Sequence, residues 1–370
     1  MQGRALVVDD GTSFTGLAAV RGLAAGGHRV GLASSGTGPS WSSRAVAERW
    51  RLPPLAAGSA AFVAAVSRAA ASYDVVLPTG DAELLALSAA RAQVPARLGL
   101  PEHAQVLRAL DKRGLTAAGA AAGLRVPREV VLADLPDDPA LRWAVKPRLH
   151  EVGAPAATRV VRGPAEVLAA VDDLHATGAQ ALVQEALTGD LVAYVALVRE
   201  GRVVAALQQR ATALWPPSAG NCVRGRCEPV DPDLAAGAAR LLADLSWDGI
   251  VQLELVAPAG ERPGLVDLNG RVYGSMALAL GAGLNLPALY VDQVLGAPDP
   301  EPVVRLGARY SALGLDLRRA LSGEAPVRGV VGCLPPAFGA AHPLWSSTDP
   351  LPALSWAAGL LRRIPTRSGS

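Results

Sequence analysis

Lysine is almost absent from this chain. Of its 35 basic side chains only Lys112 and Lys146 are lysines, and the rest are arginine. An excess of Ala, Gly, Arg and Pro has the imprint of a GC-rich genome, under which surface lysines drift to arginine at little cost. A lysine that persists marks a position where a compact ammonium serves and a forked guanidinium does not. Cysteine is scarce too. Cys222, Cys227 and Cys333 cannot build a disulfide framework, and Cys222-x4-Cys227 lacks the second Cys/His pair of a zinc site. No apolar run reaches the length of a bilayer span. Blocks of like charge are missing and the formal net charge is +2, so the electrostatic footprint of a nucleic-acid or membrane binder is absent. The five histidines are scattered, and no Gly-x-Ser-x-Gly elbow is present. Met1-Gln2-Gly3-Arg4 runs straight into a strand-like segment without a signal-peptide layout, so a reducing cytoplasm is the expected location.

What remains is a globular composition, half apolar and 18% charged, in 370 residues, which is long enough for two or three domains. Residues 4–8 read as a buried parallel strand, 14–25 as a helix stopped by Gly26-Gly27, and 28–33 as a second strand. A helix at 59–72 and a strand at 73–78 extend this βαβ opening. The texture changes near Asp111. A helix at 112–122, strands at 128–132, 142–147 and 157–162, and a helix at 164–176 make a small α+β unit. Strands at 181–186, 190–199, 202–210, 248–257 and 264–269, with helices at 231–245, 274–282 and 286–296, make a larger one. The Pro-rich segment 297–303 reads as a linker. The expected division is 1–105, 106–180, 181–297 and a C-terminal extension, 298–370.

The sharpest chemical signal is Gly249-Ile-Val-Gln-Leu-Glu254 followed by Gly264-Leu-Val-Asp267-Leu-Asn269-Gly-Arg271. Two strands joined by a polar loop pair as a hairpin. Alternation then puts Asp267, Asn269 and Arg271 on one face, opposite Gln252 and Glu254. Hard oxygen donors gathered in this way suit Mg²⁺, which completes its shell with phosphate oxygens and water, while a neighbouring Arg neutralises a transferring phosphoryl group. The bland alternative is an exposed polar strand face. Lys146, in Trp143-Ala-Val-Lys-Pro147, and Lys112, at a helix start, argue against it, because ammonium groups near apolar elements need an anion. Val183-Gln184-Glu185-Ala186-Leu187 ends an apolar strand before Gly189, a hinge where backbone groups can read an adenine edge.

These stretches resemble the ATP-grasp superfamily, in particular the branch similar to the carbamoyl-phosphate synthase large chain. The matching pieces are Asp111-Lys112 with Gly123-Leu-Arg-Val-Pro127, Val145-Lys146-Pro147, Val183-Gln184-Glu185 with Gly189, Gly249 through Glu254, and Asp267-Leu-Asn-Gly-Arg-Val-Tyr-Gly-Ser275. Ser42-Ser43-Arg44 and Leu77-Pro78-Thr79 resemble the domain that precedes the fold in this branch. The resemblance implies a doubly wound pre-ATP-grasp domain followed by an ATP-grasp fold of two α+β subdomains, so α/β then α+β. It implies ATP and Mg²⁺, or Mn²⁺, as cofactors. Lys112 and Lys146 would contact the phosphates. Gln184, Glu185, Ala186 and Leu187 would meet the adenine end, with Asp190 standing in for a ribose-binding acid where Val192 occupies the usual place. Glu254, Asp267 and Asn269 would hold the metal, and Arg271 would stabilise the γ-phosphate and an acyl phosphate. Asp267 stands where the family more often has Glu, and the loop Arg148-Leu-His-Glu-Val-Gly-Ala-Pro carries one glycine where relatives have several.

The implied reaction joins a small-molecule carboxylate to an amine, amino acids or peptide-like molecules among them, with ADP and phosphate as products. Nucleic acid and membrane are not expected partners, and the oligomeric state stays open, a homodimer included. In a Pro/Gly-rich neighbourhood at Trp215–Asn221, Arg210 is a candidate for the acceptor carboxylate or acyl phosphate. Asp9-Asp10-Gly11 is either a substrate-site turn or a helix cap, and His150 and Glu151 lie on the loop after Lys146. Rival readings are a non-catalytic nucleotide-binding protein of the same fold and a carbamoyl- or carboxyphosphate-forming enzyme. A nicotinamide-dependent oxidoreductase is a third, opposed by the absence of Gly-x-Gly-x-x-Gly and of a P-loop.

Overall fold

The computed structural model describes residues 2–12, 14–149, 158–217, 220–323 and 326–361. Its first layer is a parallel sheet of five strands: β1 (Arg4–Asp9), β2 (Arg29–Ser34), β3 (Glu48–Arg51), β4 (Val75–Pro78) and β5 (Arg97–Leu98), in the order β3-β2-β1-β4-β5. Helices α1 (Thr15–Ala25), α2 (Ser59–Ala70), α3 (Asp81–Ala89) and α4 (His103–Leu110) connect them. Leu6, Val8, Val76 and Leu98 turn to one core with α2 and α3, while Ala5, Val7, Val75 and Leu77 turn to another with α1. Burial on both faces explains the unbroken apolar runs of β1 and β4. The strand order reverses between β1 and β4, so the loops after Asp9 and Pro78 open a crevice at the carboxyl end of the sheet.

Helix α5 (Lys112–Ala121) follows, capped by Asp111, whose side chain accepts the Arg113 N–H at 3.0 Å. A three-stranded antiparallel sheet, β7-β6-β8, is built from β6 (Arg142–Pro147), β7 (Arg159–Arg162) and β8 (Ala181–Glu185), with α6 (Gly163–Ala176) packed on it around the buried Trp143. The strand expected at 128–132 does not form. The Pro-flanked segment makes a single bridge, Glu129 to Gln184, and then a short 3-10 turn at Leu132–Asp134.

The largest sheet is antiparallel, ordered β13-β12-β9-β10-β11-β14. Its strands are β9 (Asp190–Arg199), β10 (Arg202–Trp215), β11 (Asn221–Glu228), β12 (Gly249–Ala257), β13 (Gly264–Asn269) and β14 (Arg309–Ser311). One face, bearing Tyr194, Ala196, Leu253 and Leu255, packs on α5 and α7 (Pro232–Asp244). The other, bearing Ala193, Val195, Leu197 and Ile250, shares a core with α1, α8 (Met276–Gly281) and α9 (Leu286–Val294). The parallel sheet and the large antiparallel sheet are therefore joined through α1 and cannot drift apart without exposing apolar surface. Gly249, at φ 107°, opens β12 where a side chain would run into the Gly99 carbonyl at the end of β5. The chain closes with α10 (Leu313–Leu321), α11 (Pro326–Val331), α12 (Leu334–Ala337) and α13 (Leu351–Leu361). Among the described residues no helix is long and apolar enough to cross a membrane.

Candidate active site

The hairpin of β12 and β13 pairs Glu254 with Asp267 and Gln252 with Asn269. Because partners in register share a face, two carboxylates and two amides form one polar patch on an otherwise apolar sheet. The Asn269 Nδ2 donates to Gln252 Oε1 at 3.1 Å and to Glu254 Oε1 at 3.2 Å. Its Oδ1 accepts from Arg271 at 3.0 Å. The Arg271 guanidinium also donates to both oxygens of Asp81, at 2.8 and 3.3 Å. Asp81 is the first residue of α3, so this pair brings the crevice of the parallel sheet against the hairpin.

Both lysines reach the same place. The Lys112 Nζ lies 2.6 Å from Asp267 Oδ1. The Lys146 Nζ crosses from the three-stranded sheet and donates to the Val266 carbonyl of β13 at 2.9 Å. Each residue is buried, 4% and 5% exposed. The two lysines are further linked through their neighbours. The Lys112 N–H donates to the Arg148 carbonyl at 3.0 Å, and the Arg148 side chain holds Asp111 at 2.9 and 3.1 Å.

Burial strains this group electrostatically. The Glu254 carboxyl, half-buried as a residue but ringed by protein, is pushed up to about 7 by desolvation and by Asp267, against the pull of Arg271 and Lys112. Lys146 is pushed down to about 8 by desolvation and Lys112, against Asp267 and Glu254. For Arg271 burial favours loss of the proton, but Asp81, Glu254 and Asp267 outweigh it, and its pKa rises above the ordinary value. A carboxylate that resists ionisation and an ammonium that resists protonation both gain from a bound partner of opposite sign.

No group of three His, Cys, Asp or Glu side chains suited to a metal occurs among the described residues. The hairpin supplies two carboxylates and an amide, a donor set that fits a divalent cation completing its shell with phosphate oxygens and water. Glu254 in particular has one hydrogen-bond donor, Asn269, among the described residues.

The remaining expected positions divide. Gln184 is buried and donates to Thr116 Oγ1 at 3.0 Å, and its Oε1 finds no partner among the described residues. Glu185 is exposed at the end of β8. The Ala186 N–H donates to the Arg142 carbonyl at 3.0 Å, which leaves its carbonyl and the Leu187 main chain as the hinge groups for a base, and the Leu187 side chain packs over Gly264. Arg210 stands outside the group. It lies opposite Val192 and Leu255, on the sheet face away from Glu254, and is held by Glu228 at 2.9 Å and Asp190 at 3.1 Å. The β10 residue on the hairpin's face is Gln209, in line with Ala193 and Glu254, and its Nε2 donates to Ser275 Oγ at 2.6 Å. His150 and Glu151 lie outside the described residues, as do Ser218 and Ala219 of the Trp215–Asn221 stretch.

Asp9 is buried, its pKa raised by desolvation, and it is occupied by the Ser40 hydroxyl and by the Gly11 N–H at 2.9 Å. It does not cap α1, whose N-cap is Phe14 without a side-chain bond. Two acids that were not singled out, Asp81 and Glu83, stand at this crevice. Glu83 is 5% exposed and pushed up to about 7 by desolvation, with Asp10 and Asp9 adding and Arg271 opposing. Their signal was Gly80-Asp81-x-Glu83 directly after the strand ending at Pro78, at the switch point of a parallel sheet.

No protein-family model and no curated protein matches the chain. Solved structures do. The biotin carboxylase domain of 2-oxoglutarate carboxylase from Hydrogenobacter thermophilus, in complex with MgADP, ADP and bicarbonate, aligns over 84% of this chain and 74% of its own, at 10% identity and TM-score 0.64. An L-amino acid ligase from Bacillus licheniformis aligns over 82% and 76%, at 14% identity and TM-score 0.58. N5-carboxyaminoimidazole synthetase from Staphylococcus aureus, complexed with ADP, aligns over 84% and 82%, at 9% identity and TM-score 0.62. Identities this low establish architecture and leave chemistry to the site. The chain has the ATP-grasp fold, with a doubly wound α/β layer ahead of two α+β layers.

Proposed function

We propose that the chain is an ATP-dependent ligase that activates a carboxylate as an acyl phosphate and passes it to an amine, releasing ADP and phosphate. The observation that carries this reading is the meeting of Lys112 and Lys146 on one edge of the Glu254–Asp267–Asn269 hairpin, with Arg271 beside it. Solved structures of the same fold are complexed with ADP or MgADP, which supports a nucleotide at this position.

On this reading residues 106–180 close over the nucleotide and residues 181–297 carry the hairpin. Gln184, Glu185 and Leu187 face the base and Asp190 the ribose. Lys112 and Lys146 donate to the phosphates. Glu254, Asp267 and Asn269 hold Mg²⁺, which when bound screens the repulsion between the attacking carboxylate and the triphosphate. An oxygen of the acid bonds to the γ-phosphorus and the bond to the ADP oxygen breaks. The amine nitrogen then attacks the acyl carbon, loses its proton, and phosphate leaves. Arg271 lies where charge accumulates on the transferred phosphoryl oxygens. With Arg210 turned away, Gln209 and Arg271 are the side chains on the hairpin's face that can meet the acid.

The test is phosphate release from ATP across a panel of acids and amines. Asp267→Ala and Lys146→Ala lower turnover by at least about 100-fold if the roles are right, the scale expected for lost electrostatic stabilisation. Equal activity in all three proteins refutes the assignment. A second reading, a nucleotide-binding protein without turnover, is favoured by the Lys112–Asp267 ion pair, which already occupies one oxygen of the metal set. ADP binding with no phosphate release from any pair in the panel decides for it.

A further inference from the structure

A large cavity lies away from the hairpin, between α1, α8, α10 and the segment from Leu334 to Ala357. Its volume is about 1150 Å³, and its lining is largely apolar. The chain is poor in aromatic residues, at 4%, with three Phe and seven Trp. Two of those Phe, Phe14 and Phe338, and two of those Trp, Trp345 and Trp356, line this one space. Phe14 and Trp356 meet edge to face with centroids 6.4 Å apart. Phe338 and Trp345 remain 74% and 53% exposed, large rings the fold itself does not cover.

The charge around the cavity has one sign. No Asp or Glu lines it among the described residues, whereas Arg21 and Arg318 do. Arg21 is fixed by Asp349 at 2.9 Å and by two main-chain carbonyls. Arg318 is exposed, and its guanidinium has no ionic partner among the described residues. An apolar enclosure with an unpartnered guanidinium fits an apolar body that carries an anionic group. The chain's own final stretch fits poorly, since it brings Arg362, Arg363 and Arg367.

The position connects this space to the crevice. Thr12 lines it, and both the N–H and the hydroxyl of Thr12 donate to Asp10, at 2.7 and 2.8 Å. Asp10 acts on Glu83, and Glu83 feels Arg271. One wall is therefore the loop leaving β1, at the switch point that faces the hairpin.

We propose that this cavity binds a bulky aromatic carboxylate, stacked among Phe14, Phe338, Trp345 and Trp356 with its anionic group near Arg318. That this molecule is one of the ligase's two substrates rests on the function proposed above; its binding does not. The volume exceeds what one small amino acid fills and accommodates a molecule of two or more rings.

Isothermal titration of the full chain without nucleotide tests this, with three probes: 2-naphthylacetate, 2-naphthylmethanol and decanoate. The aromatic acid binds one to one, and more tightly than the neutral alcohol or the aliphatic acid. Phe338→Ala, at a largely exposed position, weakens it by about tenfold, the scale of one lost ring contact. Arg318→Glu removes the preference for the acid over the alcohol, and Ala353→Trp, which fills the space, abolishes binding. Failure of 2-naphthylacetate to bind at millimolar concentration overturns the proposal. So does equal affinity for the alcohol, tighter binding of decanoate, or a dimer in sedimentation that Phe338→Ala dissociates, which assigns the rings to a second copy. Binding without ADP formation from any substrate pair leaves the cavity standing and sinks the ligase; ADP formation only from acids that do not compete with the probe leaves the ligase standing and overturns the cavity's ligand as its substrate.

Discussion

Replacing Glu254 with Gln should make the nucleotide-free protein more stable while removing its activity. The folded chain holds the Glu254 carboxyl near 7 against an ordinary value of 4.5. Between those values the folded state carries a proton that the unfolded chain has given up. Wild-type stability therefore falls as pH rises through this window and stays low above it. The displacement corresponds to about 3 kcal/mol. Water reaching the open side of a half-buried residue reduces that to about 1–2 kcal/mol. Glutamine keeps the oxygen that accepts from Asn269 and carries no charge, so the variant escapes the penalty. Calorimetry at pH 8 without nucleotide should show a melting temperature higher by about 1–3 °C in a chain of 370 residues. The gap should be about halved at pH 5.5 and gone near pH 4, where both states of the wild type are protonated. Added MgADP should reverse the order, raising the wild type and leaving the variant nearly unmoved, because ligand stabilisation follows affinity. A variant that melts below wild type at pH 8, or a gap that ignores pH, refutes the account of Glu254 as a strained carboxylate awaiting a cation.

Lys146 makes a related prediction of opposite sign. Its ammonium gives up a proton near 8 in the free protein, and phosphates bind the charged form, so ADP affinity should fall by about tenfold per pH unit above 8. Titration calorimetry from pH 7 to 9.5 checks this, and Lys146→Arg, which keeps its charge, should show a flat profile. Arg210→Ala should leave turnover within about threefold of wild type, because Arg210 lies on the far face of the sheet. It should cost about 1 kcal/mol of stability, with Glu228 retaining Arg226 at 2.9 Å. A loss of turnover beyond about 100-fold would return Arg210 to the reacting centre.

The hairpin was legible because its polar residues interrupt apolar strands at a period of two, and a period of two states which residues share a face. The lysines were legible through their rarity and their apolar setting. Arg210 was singled out by its Pro/Gly-rich neighbourhood, which says nothing of the face it takes. That face follows from the register of β10 on β9, which slips between Val203 and Ala205 and exchanges the faces for every residue beyond. Strand β11 was missed because two of its inward positions are Gly225 and Cys227, which do not read as an apolar alternation, and its outward ones include three polar residues. Asp81 and Glu83 gained meaning only from a contact 190 residues away, between Asp81 and Arg271. Of the boundaries expected at 105, 180 and 297, the first lies within α4, the second parts β8 from the three-stranded sheet it completes, and the third lies just past α9; sheet membership alone does not establish independent folding units.

The bond from Lys146 to the Val266 carbonyl has a mechanical meaning as well as an electrostatic one. It fastens the three-stranded sheet to the edge of the large one, with a strength on the order of 1 kcal/mol. An incoming anion that draws the ammonium toward itself unfastens that seam in the same movement. Recognition of phosphate and loosening of the small sheet then share a single proton-bearing group, so a substitution there changes the grip on nucleotide and the ease of entry together.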